Sequence, residues 1–131
     1  MRFMMFMLPD MPGQADPESP QLPTADAAVT MGKYNDELTK AGVLLSLDGL
    51  HPQWEGTRVA FSGGKRTVID GPFTEAKEAI GGYWLIQVKS KEEAIEWAKR
   101  VPTVDGDFTI EVRQVFDIED FPLDVQKAVR G

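Results

Sequence analysis

Six consecutive apolar residues, Phe3-Met4-Met5-Phe6-Met7-Leu8, stand between Arg2 and a proline at position 9. The run is too short to span a bilayer or to form a typical export-signal core. The acidic, proline-rich stretch after it lacks a small-residue cleavage site, and nothing else in the chain approaches membrane-span length, so a cytoplasmic location is the default. Arg2–Leu8 therefore reads as a fully buried strand. A strand with no polar face needs cover on both sides of its sheet, and that demand shapes the rest of the fold.

The pattern beyond it supplies the partners. Five of the nine prolines lie between Pro9 and Pro23, a density that excludes helix interior and central strand and marks a loop insertion over 9–23, either a lid or a plain disordered insertion. Thr24–Ala41 is expected to be helical, with Met31, Tyr34, Leu38 and Ala41 on one face and Gly42 as the stop. Val43–Leu47 follows as a strand. Thr57–Ser62 and Arg66–Ile69 alternate about Gly63-Gly64, the signature of a hairpin. A turn at Asp70–Phe73 and a helical turn at Thr74–Glu78 lead to an apolar strand, Tyr83–Val88, entered through Gly81-Gly82. Ser90 and Glu93 form a capping box for a helix carrying Ala94, Trp97, Ala98 and Val101 on one stripe, with Pro102 just beyond. The last strand, Phe108–Phe116, faces Phe108, Ile110, Val112 and Phe116 to the core, and one short helix is expected after Pro122.

The order β-α-β-(ββ)-β-α-β is that of a ferredoxin-like α+β fold, an antiparallel sheet with helices on one face. The expected domain spans 1–118, with 119–131 as a tail. Two helices cannot shield both faces of so apolar a sheet. A second copy, sheet against sheet in a two-fold dimer, is the expected cover. At 131 residues with 42% apolar and 27% charged residues, the chain has globular composition and room for one core. Its net charge of −7 argues against nucleic-acid binding and against docking on anionic membrane. The absence of cysteine removes thiolate nucleophiles, disulfides and Cys-ligated metals.

The chemistry-bearing candidates gather in the turns. Asp70, before Gly71-Pro72, can cap its turn by accepting backbone amides, or act at a pocket rim as general base or substrate anchor, or both. His51, the single histidine, sits in the turn before Pro52. It is either a solvated loop residue or, if the two turns meet at one end of the sheet, the imidazole that Asp70 orients for proton transfer. Trp54, Pro72, Phe73 and Tyr83 are candidates to line a pocket for a flat apolar ligand, and Trp84 fits core packing better. His51, Asp70 and Glu75 lack the HxxxH or HxH spacing of a metal site, so no metal and no cofactor is expected.

Asp70-Gly71-Pro72-Phe73-Thr74-Glu75-Ala76-Lys77-Glu78 and Gly81-Gly82-Tyr83-Trp84 together resemble the signature of the DGPF group of the YCII-related family. Supporting matches occur at Ala41-Gly42-Val43-Leu44, Gly49-Leu50, Pro52, Glu93–Ala98 and Glu111-Val112-Arg113, covering roughly residues 31 to 116 in order. The resemblance implies a dimeric α+β barrel with a pocket between sheet and helices. It also implies enzymatic activity resting on a His–Asp pair in that pocket; for this chain the expectation is a cofactor-free enzyme acting on a small molecule, with Asp70 and His51 or Tyr34 moving a proton. The alternative is a non-catalytic small-molecule-binding or regulatory protein, because relatives of the group are linked with sigma factors of the extracytoplasmic-function type. The wider family's histidine lies on the first helix, where this chain has Met31 and Tyr34. Only the acid, Asp70, carries over, and Tyr34 becomes a candidate donor in the histidine's place.

Overall fold

Alternation inside the apolar run sets the centre of the molecule. In the computed structural model, which describes residues 1–9, 23–52, 55–71, 80–104 and 106–131, strand β1 covers Arg2–Pro9. Phe3 and Met5 point into the core, and the pleat turns Met4 and Phe6 to the other face, where they are half-buried. β1 pairs antiparallel on one side with β5 (Gly82–Gln87), matching Phe3 to Ile86 and Met5 to Trp84. On the other side it pairs antiparallel with β6 (Phe108–Gln114), matching Met5 to Val112. β2 (Leu44–Gly49) adds to the outer edge of β5, which gives the order β2-β5-β1-β6. The fold is α+β with antiparallel sheets, and this strand order is compatible with a ferredoxin-like arrangement.

Helices α1 (Ala25–Lys40) and α2 (Lys91–Lys99) cover the face of Phe3 and Met5. Thr24 caps α1 by accepting the Ala27 amide at 3.1 Å, and Ser90 caps α2 by accepting the Glu93 amide at 3.2 Å. The Glu93 carboxylate answers by accepting the Lys89 amide at 2.7 Å. Tyr34 and Leu38 from α1 and Ala94 from α2 pack on Phe3, Met5, Trp84 and Ile86 in one cluster. The helices are also clasped to each other. The Tyr34 hydroxyl donates to the Trp97 carbonyl at 2.7 Å, and Arg100 bonds Glu37 at 2.9 Å while lying 4.3 Å over the Trp97 ring.

Two residues expected in the core lie outside it. Ala41 is exposed because α1 ends at Lys40; its N–H still reaches the Glu37 carbonyl at 3.0 Å, and the Gly42 N–H turns back to the Thr39 carbonyl at 3.0 Å. Gly42 then takes φ +74°, the left-handed turn that stops the helix. Phe116 is 69% exposed because β6 loses its partner when β1 runs out at Arg2. Past that point the chain leaves the sheet and Phe116 stacks on Phe121 at 4.9 Å. Arg2 ties this exit down by donating to Asp117 and to the Phe116 carbonyl, each at 3.0 Å. A helix, α3 (Leu123–Arg130), follows Pro122.

β3 (Thr57–Ser62) and β4 (Lys65–Asp70) form a separate two-stranded sheet. Gly63 and Gly64 adopt φ +56° and +79°, the positive angles a two-residue hairpin turn of matching twist requires. Every residue of both strands is exposed. The proline-rich loop, the helical turn at Thr74–Glu78 and the site candidates Trp54, Pro72 and Phe73 lie outside the described residues. No helix among the described residues is long and apolar enough to cross a membrane.

Candidate functional site

Beside the buried stripe of α1 runs a second one made of small residues, Ala28, Gly32 and Asn35, at spacings of four and three. This stripe and the loop ends of β2 and β5 enclose a cleft of about 590 Å³. Gly32 widens it, since a side chain there would begin in open space. Met31, Leu47, Trp84 and Phe108 contribute apolar lining. Among the described residues the polar groups are few: Asn35, Asp48, His51, Tyr83 and Asp107. Apolar walls with a handful of placed polar groups are the usual make-up of small-molecule sites.

Close backbone approach holds the cleft's inner end. A Cβ on Gly82 would meet the Asp48 carbonyl oxygen at 2.9 Å, so only glycine lets β5 lie this near β2. That approach brings Tyr83 against Asp48, its register partner, and the phenol donates to Asp48 Oδ2 at 3.0 Å. Farther along, the Trp84 indole N–H donates to Asn35 Oδ1 at 2.8 Å. The Trp84 ring meets Tyr34 edge-on, 5.8 Å between centroids and 88° between planes.

The sequence-derived candidates are placed as follows. His51 lines the cleft, and its Nδ1 lies 2.9 Å from Glu55 Oε2. Asp70 ends β4 on the hairpin, its Oδ1 accepting from the Thr57 hydroxyl at 3.0 Å. The structure thus gives His51 and Asp70 different partners, each within its own local segment. Tyr83 lines the cleft. Tyr34 is buried in the core, and its hydroxyl is committed to Trp97. Burial pushes the Tyr34 phenol above its ordinary value of 10.0, with Glu37 adding to the rise and Arg100 opposing it.

Asn35, Asp48, Glu55 and Asp107 are the groups that sequence reasoning passed over. Ala28-Gly32-Asn35 was visible as a small-residue stripe next to the core stripe, and His51 to Glu55 is a four-residue step. Nothing local marked Asp107, which reaches the cleft only through the sheet. Among the described residues, no three of His, Asp and Glu form a group that could hold a metal ion.

Comparison with known proteins identifies the family. The model of the YCII-related domain matches residues 1–119, and the chain belongs to that family. An uncharacterised protein of Rhizobium meliloti (strain 1021) is 34% identical over 74 residues, 56% of each chain. This chain therefore spans about half the length of that relative.

Proposed function

We propose that the protein takes a small, flat, largely apolar molecule into the cleft between α1 and the sheet, and that His51 moves a proton on it without a cofactor. The observation that carries this reading is the His51–Glu55 pair at the cleft wall. A neutral imidazole that donates from Nδ1 to a carboxylate keeps Nε2 as an acceptor, the state a general base needs. Isomerisation and lactone chemistry are reactions of this class. Asp70 in this reading holds the hairpin register through Thr57 and stays outside the proton path.

The functional unit in this reading is a homodimer. Val59, Phe61 and Val68 share one face of the β3–β4 hairpin, and all three are exposed. A lone two-stranded ribbon is marginal in water, and an exposed apolar face of this kind fits an interface. Half-buried Met4 and Phe6, on the sheet face away from both helices, support the same assembly. Sedimentation velocity at micromolar concentration should give a dimer; a compact monomer would overturn this part.

The test of the cleft is a thermal-shift screen of neutral bicyclic compounds, followed by product analysis for any that stabilise the protein. His51→Gln should keep binding and lose turnover. Unchanged turnover in that variant ends the proton-transfer role, and a screen with no stabilising compound ends the cleft reading. The second reading, a non-catalytic binding or regulatory protein, draws on the exposure of the pair, 89% for the His51 side chain and 52% for Glu55. Water at that depth competes for any proton in flight. A ligand that binds and is recovered unaltered favours this reading.

A further inference from the structure

The orientation of one amide gives the cleft a chemical preference. An indole N–H can only donate, so the Asn35 atom 2.8 Å from Trp84 Nε1 must be the amide oxygen. Trp84 is itself fixed, buried in the core and edge-on to Tyr34. The Asn35 side chain is thereby held one way round, and what it has left to offer a ligand is its Nδ2 group, two donors. No hydrogen bond engages Nδ2 among the described residues, while Asn35 itself lines the cleft. Of the other polar side chains there that carry no fixed charge, Tyr83 has spent its proton on Asp48, and His51 Nδ1 is engaged by Glu55. The charges point the same way. Asp48 and Asp107 line the cleft, and no lysine or arginine does so among the described residues.

We infer that Asn35 is the ligand-reading residue of this cleft, donating its Nδ2 hydrogens to a carbonyl-type oxygen on an apolar ligand that is neutral or cationic. The inference rests on the cleft being a small-molecule site and narrows what that site accepts. A ketone or amide oxygen meets two donors already oriented, so little ordering is lost on binding. A carboxylate would take the same donors but bring its charge toward Asp48 and Asp107.

Prodan, a flat uncharged ketone built on dimethylaminonaphthalene, is a suitable fluorescent probe. The parent dimethylaminonaphthalene lacks the acceptor, and dimethylaminonaphthoate replaces the ketone with a carboxylate. Asn35→Asp keeps the oxygen that Trp84 needs and exchanges the two donors for a second acceptor. It should weaken prodan binding about tenfold or more and change the parent's affinity by less than about twofold. Asn35→Leu, which removes the whole amide, should show the same selective loss. Near-UV circular dichroism of both variants reports whether Trp84 keeps its packing. The naphthoate should bind wild type at least about tenfold more weakly than prodan. If prodan and the parent both bind and both substitutions leave prodan unaffected, the role of Asn35 is overturned while the cleft stands. Naphthoate binding equal to prodan overturns the charge preference. If neither prodan nor the parent binds wild type, the cleft reading falls and takes this inference with it.

Discussion

The two sheets of this molecule are built from similar residues and live in opposite surroundings. In the four-stranded sheet Phe3, Met5 and Ile86 are at most 1% exposed under α1 and α2. In the β3–β4 ribbon Phe61 is 70% and Val68 65% exposed. β6 of the large sheet and β3 of the ribbon both alternate apolar and polar residues, so periodicity establishes that a strand exists and says nothing about what covers it. Cover comes from what the chain can place on top. Two capped helices follow the strands of the large sheet, and no described helix packs on the ribbon. The ribbon's apolar face is therefore the surface most in need of a partner, and the sheet's inner face the one least able to change.

Substitutions can break or sharpen this contrast. The largest effect belongs to the covered sheet. Ile86→Ala, which empties a fully buried site, should lower stability by about 2–5 kcal/mol in urea denaturation. Tyr34→Phe should cost about 1–2 kcal/mol, because the Trp97 carbonyl loses its donor. It also carries a pH signature. Burial raises the phenol above 10.0, so the stability it contributes is whole below that pH and is lost as pH climbs through the raised value. Wild type should thus weaken more steeply than Tyr34→Phe in denaturation curves taken above about pH 10.

At the cleft the sign reverses. Gly32→Ala adds a methyl in open space and removes a helical glycine, and should raise stability by about 0.5–1 kcal/mol in thermal unfolding. The smallest effect on protomer stability is expected on the ribbon. Val68→Thr should change it by no more than about 0.5 kcal/mol at concentrations where the chain is dissociated. The same substitution should shift the sedimentation profile toward monomer at micromolar concentration. A ribbon substitution as damaging as Ile86→Ala would show that the contrast between the sheets is false.

The candidate site was less legible than the fold, and particular residues show why. His51 was recognisable as a turn residue able to reach a pocket. Its partner is Glu55 four residues on, where the sequence had left open a solvated loop residue or, if the two turns met, a pairing with Asp70. Thr57 faces Asp70 across the hairpin ladder and is the nearer donor, so a local bond holds that carboxylate. Tyr34 was identified as a core-face residue. Which acceptor its hydroxyl would find depended on where α2 docks.

Among the described residues the sequence by itself determined the kind and order of the strands and α-helices, because periodicity, caps and breakers act within a few residues. It also determined the glycine turn of the ribbon and marked the family through residues in consecutive turns. Only the tertiary structure decided that Phe116 leaves the core, that Gly82 lets β5 lie against β2, and that Trp84 turns the Asn35 amide so that its donors are left over. Those outcomes depend on contacts between residues dozens of positions apart. The preferences that the chain carries locally do not encode which distant atom will be nearest.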